Sequence, residues 1–204
     1  VTDIPYELLM KIQHGTMSYR YRGIPMLKNP FDLALYTMLL ERARPETLIE
    51  IGTHSGGSAL WFADQRPGMR VWSIDLQPPE GVVHPSVHFR RGDAQRLGEV
   101  LTPAAMQSLA RPLLVVEDSS HHAGTTAAVL EFFDRWLQPG EYIVIEDGIL
   151  TAMRAAEAYD GGPLRAIHEF LAHSGGRYEI DRTLCDYFGR NVTWNVDGYL
   201  RRIA

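Results

Sequence analysis

Four short runs along the chain are almost continuously apolar and close on an acid or a glycine: TLIEIG (47–52), RVWSID (70–75), PLLVVED (112–118) and EYIVIED (141–147). Runs of this length, rich in β-branched residues, predict strands buried on both faces. A weaker run around Val87–Arg91 predicts a fifth. Between the strands the apolar spacing becomes helical. The clearest case is GTTAAVLEFFDRWLQPG, with Val129, Phe132, Phe133, Trp136 and Leu137 on one stripe and Pro139-Gly140 as the stop. SALWFADQ, FDLALYTMLLERARPE and a segment at about 163–173 read as further helices. Strand and helix alternate, which predicts an α/β fold with a doubly wound, mostly parallel sheet and ligands beyond the carboxyl ends of its strands. RYEIDR and VTWNVDGYLRR would add closing strands at the sheet edge, for which antiparallel pairing is open. Residues 1–30 read as a helix and loop, an extension or lid too short to be a domain, ahead of one domain over 31–204.

Composition narrows the function classes. The chain has 204 residues, 45% hydrophobic and 22% charged, with a formal net charge of -5, so it has no basic surplus for a nucleic-acid backbone. No apolar run approaches the roughly 18 residues of a membrane span, and VTDIPYELLMKIQHG lacks the pattern of a signal peptide, so a soluble, cytoplasmic protein is expected. Cys185 is the only cysteine, which leaves oxygen or imidazole to hold any metal.

The loop after the first strand, Glu50-Ile-Gly52-Thr-His-Ser-Gly56-Gly57-Ser58, opens a helix. Its glycines permit a tight turn and close approach of a ligand to the backbone. It is neither a P-loop, since Ser58-Ala59 follow the last glycine, nor G-x-G-x-x-G. Asp75, at the tip of the second strand, can accept from both hydroxyls of a ribose, which points to a nucleoside. Asp93 is placed either to accept from an adenine amino group or to cap a helix. VVEDSSHH and VIEDG bring several carboxylates to one mouth, and their mutual repulsion calls for a cation. Asp118, Glu146 and Asp147 form a candidate all-oxygen site for Mg²⁺ or a similar hard divalent ion. Glu117 and Asp118 point to opposite faces of their strand, and Asp118 is nearer the loop. An arginine such as Arg154 could instead neutralise the acids. His121, three residues after Asp118, is the candidate general base, with His122 and His54 as rivals. His168 and His173 only mimic a zinc signature: their i, i+5 spacing sets them about 140° apart on a helix.

The runs KNPFDLALY, LIEIGTHSGGSALWFAD, VWSID, VVEDSSHH, YIVIEDG, GGPLRAIHEFLA and DGYLRR together resemble the cephalosporin hydroxylase-like family of class I S-adenosylmethionine methyltransferases, and the related macrolide and rhamnosyl sugar O-methyltransferases. The resemblance spans roughly residues 20–204. It implies a Rossmann-like methyltransferase fold, a magnesium ion, and methylation of a hydroxyl on a small natural product of secondary metabolism, such as an antibiotic. It implies that Glu50, Gly52 and the Gly56-Gly57-Ser58 turn surround the methionine part of the cofactor, that Asp75 holds the ribose and Asp93 the adenine end. Asp118, Glu146 and Asp147 would then be metal ligands and His121 the base. A vicinal diol, sugar or catechol-like acceptor suits such chemistry, with Tyr19, Tyr21, Trp194 and Tyr199 as candidate pocket walls. Two other readings compete: a metal-dependent oxygenase, and a non-catalytic nucleoside-binding subunit. Ile4, Leu8, Leu9 and Ile12 fall at helical spacing and could cover a neighbouring subunit in a homo-oligomer or fold back on their own chain.

Overall fold

In the computed structural model, which describes residues 1–204, the apolar runs pair into one seven-stranded sheet. In chain order the elements are α1 (Tyr6–Ser18), a two-stranded hairpin of β1 (Arg20–Tyr21) and β2 (Ile24–Pro25), α2 (Pro30–Ala43), β3 (Thr47–Ile51), α3 (Gly57–Gln65), β4 (Arg70–Asp75) and β5 (Val87–Arg91). Then come α4 (Pro103–Ser108), β6 (Leu113–Glu117), α5 (Ala123–Asp134), β7 (Tyr142–Ile145), α6 (Gly162–His173), β8 (Tyr178–Ile180), α7 (Arg182–Cys185) and β9 (Tyr199–Arg202). The spatial order is β5-β4-β3-β6-β7-β9-β8. The first five are parallel, whereas β9 runs antiparallel to both β7 and β8.

Alternate residues of each strand feed two cores. Leu48, Leu114, Val116 and Val144 pack under α2 and α3, and Ile49, Val115, Ile143 and Ile145 pack under α5 and α6. The sheet is therefore covered on both faces, as its continuously apolar strands require. One expectation is corrected and one open alternative is resolved. VTWNVD is not strand, because its polar side chains turn inward to bind buried partners: the Thr193 hydroxyl and the Trp194 N–H both donate to Asp32. The first helix lies on its own chain: Ile4 and Leu9 are buried against Ile149, Trp194 and Val196, while Leu8 remains 50% exposed.

Asp32, on α2, has its carboxyl pKa pushed up to about 6 by burial, against the hydrogen bonds from Thr193, Trp194 and Asn29. Glu50, at the end of β3, is pushed up to about 7 by burial, against the Lys28 charge and the hydroxyls of Ser58 and Ser73. The folded chain thus holds protons on both acids at a pH where the unfolded chain has released them. Stability should therefore fall as pH rises from the ordinary carboxyl range, about 4, through about 6 to 7, and level off above. Scanning calorimetry should give a Tm roughly 5 °C higher at pH 6 than at pH 8, with Glu50→Gln flattening the difference; a Tm that rises with pH would contradict it.

Candidate functional site

The carboxyl edge of the sheet carries the site because β3 is flanked by β4 on one side and β6 on the other, so that the chain winds away in both directions from that seam. Gly52 follows β3 and Asp118 follows β6, and they touch: a Cβ on Gly52 would come within 2.0 Å of the Asp118 carbonyl oxygen. Only glycine fits there, and its φ of 96° is one that L side chains avoid.

A cavity of about 740 Å³ opens on one side of this seam. It runs from Gly52, Asp118 and Ser119 past Asp75 to Asp93, Ala94 and Gln95. Asp75 is fixed by three backbone donors: Thr53 and His54 N–H reach Oδ2 at 2.8 and 3.1 Å, and Gln77 N–H reaches Oδ1 at 2.8 Å. Oδ1 keeps capacity to accept from a hydroxyl. Asp93 lines the cavity and caps the short helical turn that follows it, accepting from the Gln95 N–H at 2.9 Å.

His54 and Ser55 of the glycine loop also line this cavity, whereas Glu50, Gly56, Gly57 and Ser58 do not. Gly57 backs onto the Pro25 carbonyl and Gly56 onto Pro79 and Phe89. Glu50 is fully buried and accepts from Ser58 and Ser73, each at 2.5 Å, so Ser58 is spent on the protein itself. These four residues shape the loop from behind.

On the other side of Gly52 and Asp118 lies a second cavity, of about 320 Å³. Its walls come from α1 (Gln13, Met17), from Pro25, Met26 and Leu27, and from Leu150, Met153, Tyr159 and Trp194. Of the four aromatics considered for a pocket, only Trp194 lines it, its indole N–H donating to Gln13 Oε1 at 2.7 Å. Tyr199 is buried in the core, the Tyr21 hydroxyl binds Asp64, and Tyr19 lies outside. Gly52, His54, Asp118 and Ser119 line both cavities.

At this junction Asp118, His121 and Asp147 present donor atoms all within 4.8 Å of one another. His121 Nδ1 is 3.4 Å from Asp147 Oδ2 and 4.0 Å from Asp118 Oδ1. The Asp147 carboxyl is pushed up to about 6 by burial and by the Asp118 charge. Two carboxylates and an imidazole converging on open space match what a hard divalent ion takes from protein. Glu146 is not in this group. Its Oε2 accepts from Lys28 Nζ at 2.6 Å and its Oε1 from the Tyr36 hydroxyl at 2.6 Å. Lys28 also reaches Asp118 Oδ2, at 2.5 Å. Burial alone would lower the Lys28 pKa, but the charges of Asp118 and Glu146 outweigh it and keep the ammonium protonated. The neutralising cation is thus Lys28 and not Arg154, which stacks on Tyr6. Glu117 turns to the opposite face, where Ser119 donates to it; burial pushes its pKa up to about 8.

Four non-glycine residues around the junction, Leu27, His54, His121 and Asp147, hold left-handed φ values between 48° and 60°. Such conformations are costly and gather where side-chain aim matters. His122 only precedes α5, with its ring against Tyr159.

A sequence model of the family described as rhamnosyl O-methyltransferase/CmcI matches residues 13–203. A rhamnosyl O-methyltransferase of Mycobacterium leprae is 27% identical over 196 residues, covering 89% of this chain and 82% of that protein. One from Mycobacterium tuberculosis is 25% identical over 184 residues, covering 83% and 73%. Among solved structures, CmcI with Mg and SAM superposes with a TM-score of 0.67 at 25% identity, over 92% of this chain and 78% of that one. MycE from mycinamycin biosynthesis, with Mg and SAH, gives 0.54 at 19% identity over 67% and 38%, a likeness of fold.

Proposed function

The chain belongs to the rhamnosyl O-methyltransferase/CmcI family, and we propose that it moves the methyl group of S-adenosylmethionine onto one hydroxyl of a vicinal diol in a small sugar-bearing acceptor, at a divalent-cation site. The observation that carries this reading is the meeting of two cavities at Gly52 and Asp118, beside a cluster of two carboxylates and an imidazole. A nucleoside-binding subunit without catalysis has no need of the second cavity. An oxygenase is not favoured by relatives named as O-methyltransferases.

The larger cavity would take the cofactor, with the adenine end toward Asp93 and Gln95, the ribose at Asp75 and the methionine end toward Gly52 and Ser119. Bound there, S-adenosylmethionine supplies an electrophilic methyl group, and the protein's part is alignment and exclusion of water. The smaller cavity, at the low end of the roughly 300–1,000 Å³ typical of ligand sites, suits one monosaccharide ring. Trp194 and Tyr159 offer it faces, and Met17, Leu27, Leu150 and Met153 give it apolar walls.

Asp118 and Asp147 would hold the cation, with Glu146 behind them. A divalent ion there lowers the pKa of a hydroxyl it binds and offsets developing negative charge. His121 would take the hydroxyl proton at Nε2, while Nδ1 faces Asp147 and Asp118. Glu50, Gly56, Gly57 and Ser58 maintain the loop that shapes the junction.

Asp75→Ala separates cofactor from metal. Calorimetric titration should show affinity for S-adenosylmethionine about 10- to 100-fold weaker, the loss of a charge-assisted hydrogen bond, with Mg²⁺ binding unchanged. Undiminished affinity would remove Asp75 from the cofactor site.

A further inference from the structure

Asp118, Glu146 and Asp147 follow β6 and β7 at one mouth of the sheet, and the chain brings a cation of its own to them. Lys28 stands between Asp118 and Glu146, 2.5 and 2.6 Å from their oxygens, with its side chain only 3% exposed. A buried Glu146 beside a partly exposed Asp118 would be destabilising without a counter-charge, and the Lys28 ammonium supplies one without metal. Asp118 is also one of the three groups whose donor atoms converge on the adjoining space. One carboxylate therefore faces two cation positions, one filled by lysine and one open to a divalent ion. Leu27, just before the lysine, lines the smaller cavity.

We propose that Lys28 is a resident counter-cation, anchored by Glu146, that competes with the divalent ion for Asp118, so that metal uptake works against a lysine already in place. This rests on the cation site of the proposed function. A doubly charged ion entering beside an ammonium that shares its ligand is repelled by it, and Asp118 is less available while it is bound to lysine. Lys28 is accordingly a positioning residue: it holds the acids ready without metal and sets how tightly the ion is held.

The test is titration of metal-free protein with Mg²⁺ and with Mn²⁺ alone, in wild type, K28M and K28R, alongside melting curves with and without Mg²⁺. K28M keeps the length of the side chain and removes its charge. Its dissociation constant for the ion should be about tenfold tighter or better, its Tm without metal lower than that of wild type, and the rise in Tm on adding Mg²⁺ larger. K28R, which keeps the charge, should not gain affinity. A K28M protein that folds only in Mg²⁺ reports the same competition in its extreme form. K28M that binds the ion equally or more weakly, or that folds in neither condition, shows a purely structural tie and overturns the proposal while the cation site stands. A wild type that takes up no divalent ion overturns both.

Discussion

Asp118→Asn should lower kcat for methyl transfer by about 10²- to 10⁴-fold, a loss of roughly 3–5 kcal/mol of transition-state stabilisation. The substitution is nearly isosteric, so the Asp118 carbonyl that faces Gly52 and the walls shared by both cavities stay as they are. What disappears is a negative charge that serves three neighbours: the metal position, the His121 ring 4.0 Å away and the Lys28 ammonium. Divalent-ion affinity should fall together with kcat, and the buried Lys28, left with Glu146 alone, should make the variant less stable. Steady-state kinetics at several Mg²⁺ concentrations check this. Wild-type kcat at saturating Mg²⁺ would remove Asp118 from the reaction.

His121→Asn is the second large effect. Asparagine tolerates the left-handed conformation that His121 holds at φ 60°, so the loop should keep its path. Loss of the proton acceptor should lower kcat by about 10²- to 10⁴-fold with little change in either KM. The fall in rate toward acid pH that belongs to the imidazole should vanish with it. His54→Asn is the discriminating control, because His54 lines both cavities but its Nδ1 is bonded to the Ser55 hydroxyl and it stands outside the acidic group. If His54→Asn produces the larger loss and the altered pH profile, the base has been misassigned.

The parts of this fold legible in the sequence are those where one local pattern decides the outcome. Leu113–Glu117 and Tyr142–Ile145 are apolar on both faces because the sheet is covered on both, and they stop where acids begin. The helix expected over FDLALYTMLLERARPE forms as α2, its start held by Asn29, whose side chain accepts from the Phe31 and Asp32 N–H groups. What was not legible depends on partners distant in sequence. Lys28 and Tyr36 meet Glu146 across 118 and 110 residues, and no spacing rule announces that. The one available signal was a lone lysine within IPMLKNP, an otherwise uncharged stretch. The glycine loop shows the converse. Gly56 and Gly57 look like ligand contacts because such loops often are, yet the Pro25 carbonyl and the Phe89 ring explain why they must be small. Segment 192–198 read as strand from its Val, Trp and Val, but the buried Asp32 carboxyl draws its backbone and hydroxyl donors inward. The acceptor wall contributed by Gln13 and Met17 was hidden for the same reason: helical spacing in α1 could not say what its faces would cover.

The most direct test of the central claim is transfer of an isotopically labelled methyl group from S-adenosylmethionine to a panel of rhamnosides and other diol-bearing glycosides, followed by mass spectrometry in Mg²⁺ and in excess chelator. A singly O-methylated sugar that forms in Mg²⁺ and disappears in chelator is the expected result. A protein that binds S-adenosylmethionine yet methylates no glycoside, or one that methylates equally well without a divalent ion, would contradict it.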